Sequence, residues 1–188
     1  MGTKLLDYFE AYPIIAAVRD EHDLAVALSS SAKIIFLLDA TLCNLKERVE
    51  KIKARQKKAF IHLDMVSGLS KDPTAVEFIK SEINPAGIIT TKTNLIQYTK
   101  QIGLSTIQRL FILDSLSIQT GLKMIQANQP DFIEVMPGII PKVIPEIKSF
   151  CQIPIIAGGM ISTKGEIIEL LKAGVLAIST SNKNLWEL

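Results

Sequence analysis

The chain predicts a compact (β/α)₈ barrel with a short final helix, and three features of its 188 residues carry that reading. Eight apolar runs rich in Ile, Val and Phe begin at Pro13, Ile34, Lys58, Gly87, Gln108, Asp131, Ile153 and Gly174, recurring every 21 to 29 residues. Each interval has room for one strand, one short helix and two tight loops, with no linker or low-complexity insertion between units. The runs are nearly continuous in apolar residues, as strands buried on both faces of a parallel sheet are. An open, doubly wound sheet is the rival arrangement, but eight successive units favour closure. A leucine-rich repeat has a comparable period, yet its Leu-x-x-Leu-x-Leu register does not occur.

The elements follow in order. The first run, Pro13 to Arg19, leads into a helix that begins near His22, a histidine expected to be solvated. The second run ends at Asp39. From Leu45 to Lys58 the apolar residues Leu45, Val49 and Ile52 stand at near-helical spacing among many charges, which predicts an exposed amphipathic helix. The third run carries His62 and Asp64, and Asp72-Pro73-Thr74 then gives a helix start before Val76, Phe78 and Ile79. Runs four to six end near Lys92, Asp114 and Glu134 with Met136. The seventh closes on Gly158-Gly159, and Ser162 precedes a helix with Ile167, Ile168, Leu170 and Leu171. The eighth ends in Ser179-Thr180-Ser181-Asn182, after which only a few residues remain for a last helix. The whole, residues 1–188, reads as one barrel domain.

Composition narrows the function classes. A chain that is 48% hydrophobic but only 6% aromatic has an aliphatic core, and a net charge of +2 is too small to argue for a polyanionic partner by itself. Cys43 and Cys151 match neither a disulfide framework nor a paired metal-ligand spacing. No run approaches the ~20 apolar residues of a membrane span, and Leu6 occupies the place where a myristoylation signal needs Ser or Thr. A cytoplasmic location without a membrane partner is the expectation. No zinc-protease, P-loop or dinucleotide fingerprint is present, so no metal or nucleotide cofactor is expected.

Functional residues of such barrels gather at the carboxyl ends of the strands. Strand parity would place Arg19, Asp39, His62 with Asp64, Lys92, Asp114, and Glu134 with Met136 around one mouth. Carboxylates there would accept from ligand hydroxyls, while Arg19 or Lys92 would pair with an anionic group. Asp39 and Asp114 are also good helix-capping residues, and His62 reads as a buried, hydrogen-bonded histidine. Gly158 and Gly159, followed one unit later by Thr180, Ser181 and Asn182, make a credible phosphate cradle of close-approaching backbone and short polar side chains. Gly138 belongs to the adjoining wall or to a turn. The segment from Lys46 to Lys58 holds seven cations against two anions, and Arg48, Lys51, Arg55 and Lys58 could align along one helical face for nucleic-acid phosphates. A solvated outer face is the plain alternative. An exposed apolar edge near Leu185 and Trp186 would suit a homodimer.

Five segments then add a resemblance: Pro13-Ile14-Ile15-Ala16-Ala17-Val18-Arg19, His62-Leu63-Asp64-Met65-Val66-Ser67-Gly68-Leu69, Gly87-Ile88-Ile89-Thr90-Thr91-Lys92, Glu134-Val135-Met136-Pro137-Gly138 and Pro154-Ile155-Ile156-Ala157-Gly158-Gly159-Met160. In this order, and with Ser179 to Asn182 and Leu185-Trp186 at the end, they resemble the glycerol-3-phosphate-responsive antiterminator family. The resemblance implies a bacterial RNA-binding regulator rather than an enzyme. With glycerol 3-phosphate bound as effector, it would act on a leader mRNA, prevent termination and stabilise the transcript of glycerol-catabolism genes. The ligand phosphate would lie at Gly158, Gly159, Ser181 and Asn182, and its hydroxyls near Asp39, Asp64 or Glu134. The fold alone equally admits a small phosphosugar isomerase, epimerase or synthase that uses Asp64, Lys92 or Glu134 as acid and base.

Overall fold

The computed structural model describes residues 2–188. Eight parallel strands close into a barrel in which every strand pairs with its neighbours in sequence, and the last pairs with the first. They are β1 (Ile14–Val18), β2 (Ile34–Leu37), β3 (Lys58–His62), β4 (Gly87–Thr90), β5 (Ser105–Phe111), β6 (Phe132–Met136), β7 (Ile155–Gly158) and β8 (Ala177–Thr180). A two-stranded parallel pairing of Ala40–Thr41 with Val66–Ser67 sits above the ends of β2 and β3. The expected spacing holds, except that β5 begins at Ser105, three residues before the apolar run at Gln108.

Helix α1 (Gly2–Ala11) precedes the barrel, and it is the element that no apolar run announced. Seven crossover helices follow strands one to seven: α2 (Glu21–Ser29), α3 (Leu45–Ala54), α4 (Pro73–Phe78), α5 (Thr93–Gln101), α6 (Ser115–Asn128), α7 (Val143–Phe150) and α8 (Lys164–Lys172). Asp72 caps α4 through the Ala75 N–H, as its position before Pro73 predicts. Helix α8 is capped by Thr163 rather than Ser162; the Thr163 hydroxyl and Glu166 carboxylate close a reciprocal box, and Ser162 adds a further hydrogen bond to Glu166.

Side-chain alternation divides the core in two. Outward residues of the strands pack under the helices. Inward residues, among them Ile15, Ile34, Phe36, Phe60, Ile89, Ile107, Phe132 and Ile156, fill the barrel together with Phe9 of α1. Phe9 is fully buried, with its ring centroid 5.7 Å from Phe60 and 4.7 Å from Phe132, so α1 stoppers the amino-terminal end of the barrel. The opposite end is left for the site.

The carboxyl terminus carries the short final helix in its tightest form. It is a single turn of 3-10 helix, Lys183–Leu185, after which Trp186 is wholly buried and donates its indole Nε1–H to the Thr180 carbonyl at 2.8 Å. Leu185 is buried as well. The apolar edge proposed for a homodimer is therefore occupied by the chain's own terminus: a large aromatic with one polar handle is stable inside once that handle has an acceptor.

Candidate functional site: the barrel mouth

A cavity of about 260 Å³ opens between the carboxyl ends of β1, β2 and β5 to β8. Arg19, Arg109, Glu134, Gly159, Ser179, Thr180, Ser181 and Asn182 supply its polar lining, and Leu38, Met136 and Ile161 part of its apolar wall. At its floor, residues paired across β5 and β6 bring Arg109 opposite Glu134, and the two side chains form a buried ion pair with Nε 2.7 Å from Oε2. The pair is incomplete. Arg109 Nη2 and Glu134 Oε1 are buried without a hydrogen-bond partner among the described residues. Both residues line the cavity, and the donor and acceptor left over are what a hydroxyl reaching the pair would complete.

The surrounding glycines exist for this pair. A Cβ on Gly158 would stand 2.6 Å from Glu134 Oε1, so only glycine at this point of β7 leaves room for the carboxylate. Gly159 is in the left-handed region at φ +79°, and a Cβ there would meet Met136 Cε at 2.7 Å. Met160 shares that region at φ +63°, which a residue with a side chain rarely adopts. After this turn the Met160 N–H, like that of Ser181, takes part in no loop hydrogen bond among the described residues.

Thr180 and Asn182 have different duties from those expected. The Thr180 hydroxyl donates to the Ile161 carbonyl at 2.8 Å and accepts from the Asn182 N–H at 3.1 Å. Asn182 Nδ2 donates to the Ser162 carbonyl at 2.8 Å, and its Oδ1 caps the final turn through Asn184 N–H. Their side chains buckle the β7 and β8 loops together at the rim of the cavity. Arg19, at the rim and in no ion pair among the described residues, is the exposed cation of the mouth.

Residues 14–186 match the family described as glycerol-3-phosphate responsive antiterminator. The chain belongs to the glycerol-3-phosphate-responsive antiterminator family. It is similar, at 39% identity and a TM-score of 0.90, to the glycerol uptake operon antiterminator regulatory protein of Listeria monocytogenes, covering 93% of this chain and 94% of that one. A glycerol uptake operon antiterminator-related protein of Thermotoga maritima aligns at 34% identity and a TM-score of 0.85, covering 94% and 99%. The Escherichia coli protein YgcP is 36% identical over 184 residues, 98% of this chain and 96% of its own. Barrel enzymes such as the deoxyribose-phosphate aldolase of Aeropyrum pernix, at 11% identity and a TM-score of 0.71, share the fold alone.

Several residues expected at the mouth of the barrel lie elsewhere. Asp39 is exposed, outside the cavity lining, and it is its backbone oxygen that is used, accepting from Arg48 at 2.6 Å. Asp64 is consumed by the β4 end, accepting from the Thr90 hydroxyl and from the Thr91 N–H and hydroxyl, each at 2.7 Å. Burial would raise that carboxyl, but these hydrogen bonds outweigh it and hold it below the usual carboxylate range. Lys92 is exposed at the start of α5, outside the lining. Gly138 makes contact between loops rather than with a ligand: its N–H donates to the Gly158 carbonyl at 2.6 Å, and a Cβ would strike Ile161. Two of the three acid-base candidates of the phosphosugar reading thus stand outside the cavity.

Asp114 caps α6, accepting from the Ser117 N–H at 2.7 Å while the Ser117 hydroxyl returns to the Asp114 N–H at 3.0 Å. Asp114→Ala should cost about 1 kcal/mol in urea unfolding and leave ligand affinity unchanged. His62 is buried as expected, but neither ring nitrogen has a hydrogen-bond partner among the described residues. Burial first, and then the Arg109 charge, push its pKa down to about 4 against the opposing pull of Asp64. Arg109 is the charged lining residue that the sequence reading passed over. Arg109 carried a usable signal, being a charge inside an apolar run, the same sign that marked Glu134.

The cationic helix face also needs correction. Arg48 is buried and bound to Glu21 at 3.1 Å, and Lys51 is paired with both Glu21 and Glu47 at 2.9 Å. Helix α3 ends at Ala54, Arg55 follows it as the cap, and Lys58 is the first residue of β3 at the amino-terminal end of the barrel. Those four cations do not share a face. Among the described residues no cluster of His, Cys, Asp and Glu is placed to hold a metal, and no helix is long and apolar enough to cross a membrane.

Proposed function

We propose that this chain is a transcription antiterminator that binds glycerol 3-phosphate in the barrel mouth and, so loaded, binds the leader mRNA of glycerol-catabolism genes in the cytoplasm, preventing termination and stabilising the transcript. The observation that carries the reading is the Arg109–Glu134 pair with one donor and one acceptor unused, set below a rim that offers Arg19 and the Met160 and Ser181 amides. A short polyol phosphate is complementary to both levels. One hydroxyl donates to Glu134 Oε1 and accepts from Arg109 Nη2, and the phosphate takes the amides and the Arg19 guanidinium.

Ligand binding ties the β7 and β8 loops to the barrel floor, and the ordered state is the one that RNA prefers. The test is calorimetric titration of glycerol 3-phosphate followed by leader-RNA binding with and without it. A coupling of ~1–3 kcal/mol predicts RNA binding tighter by ~5–150-fold in the loaded protein. Equal RNA affinities in the two conditions would remove the switch, and turnover of a triose or pentose phosphate would favour the enzyme reading.

A further inference from the structure

The cations that α3 does not neutralise converge on the other end of the molecule. A groove of about 480 Å³ runs at the amino-terminal end of the barrel, beside the C-terminal end of α3 and the turn into β4, with Lys53, Lys58 and Lys80 among its lining and no carboxylate. Among the described residues none of these three lysines is in an ion pair. Lys53 Nζ has only the Ile83 and Asn84 carbonyls, at 3.5 and 3.4 Å, and Lys80 Nζ only the Asn84 amide oxygen at 3.4 Å. Lys57, below them, is buried and committed to the Ala27 and Ser30 carbonyls at 2.6 and 2.7 Å, so its charge adds to the field without being free to move. The N-terminal half of α3, by contrast, is cancelled by Glu21 and Glu47.

An aromatic pair adjoins this charge. Lys58 Nζ lies 5.6 Å from the centre of the Tyr8 ring on α1, and Tyr8 in turn packs against Tyr12 with centroids 5.0 Å apart. Tyr12 is 40% exposed although it is large and largely apolar. On the helical wheel Tyr8 and Tyr12 flank one side of the inserted Phe9, while Asp7 and Glu10 fall on the other. A cationic groove continued by a half-buried and an exposed aromatic ring is the pairing used to hold single-stranded nucleic acid, phosphates on the lysines and bases on the exposed ring. A duplex would leave the rings unused.

We propose that this groove and the Tyr8–Tyr12 platform form the RNA-binding face of the protein, at the end of the barrel opposite the ligand mouth. The assignment rests on the RNA reading above and gives it a location. The experiment measures binding of a fluorescent oligouridine, and of an RNA duplex of equal length, to the full chain loaded with glycerol 3-phosphate, across a salt series. Lys53→Gln combined with Lys80→Gln should reduce the magnitude of the salt slope by about 1.4, and Tyr12→Ala should weaken oligouridine binding by ~5–150-fold. Lys51→Gln, at a position already neutralised, should change neither. Unaltered glycerol 3-phosphate titration and unaltered thermal melts show that each variant is folded. Parent-like oligouridine binding by both groove variants places the RNA site elsewhere and overturns this proposal while leaving the antiterminator reading intact. A parent that binds neither oligouridine nor leader RNA overturns both. Equal loss of oligouridine and duplex binding in Tyr12→Ala rejects the stacking platform. Loss of binding to phosphatidylglycerol vesicles, with RNA binding preserved, would make the groove a membrane contact.

Discussion

Arg109→Met is expected to lower unfolding stability by about 3–5 kcal/mol, because it leaves the Glu134 carboxylate buried without its counter-charge. For a domain of this size that corresponds to a fall in Tm of roughly 6–20 °C. The double variant Arg109→Met with Glu134→Leu should recover most of the loss or exceed the parent, since replacing both members of a buried ion pair with apolar side chains removes two desolvation penalties together. Affinity for glycerol 3-phosphate should fall in the single and the double variant alike. That contrast separates the two roles of the pair. A stable double variant that still binds the ligand normally would show that the floor of the cavity takes no part in recognition, whereas one that is stable and ligand-blind shows a pair retained for binding at a cost in stability. Differential scanning fluorimetry with and without glycerol 3-phosphate measures both quantities.

The same pair shows how far the sequence could be read. Strand identity was plain, because each run is apolar and the units repeat, and Glu134 stood out as a charge inside one of them. Arg109 carried that sign too, but its strand begins at Ser105, so an origin set at Gln108 drew attention to the run's end and away from its middle. What Gly158 does was not legible: a Gly-Gly step signals a tight turn or a close approach, but nothing local says that the approaching group is a carboxylate on the preceding strand. The α3 cations failed for a related reason. Their helical spacing is real, yet Glu21 on a different helix neutralises Arg48 and Lys51, and the chain turns through Gln56 at φ +57° before Lys58, carrying the remaining charge to the other end of the barrel. Period and composition set the scaffold, while pairings between distant segments decide which charges are left for a ligand.

Lowering the pH should expose the buried histidine. His62 has a native pKa of about 4, set first by burial and then by the Arg109 charge, against an unfolded value near 6.5. Between these values the unfolded chain takes up a proton that the native barrel refuses, so stability rises with pH through this window and is lost on acidification from about pH 6.5 to about pH 4. The difference amounts to about 3 kcal/mol. Urea unfolding at a series of pH values, compared between the parent and His62→Leu, isolates this contribution, because the surface carboxylates and the depressed Asp64 titrate in both proteins. The variant should be flatter across the window. It should also be at least as stable as the parent in mild acid, since neither imidazole nitrogen has a partner to lose. Parallel pH profiles for the two proteins would mean that the native state accepts the proton, and that the imidazole beneath the mouth is neither dry nor repelled by the Arg109 charge.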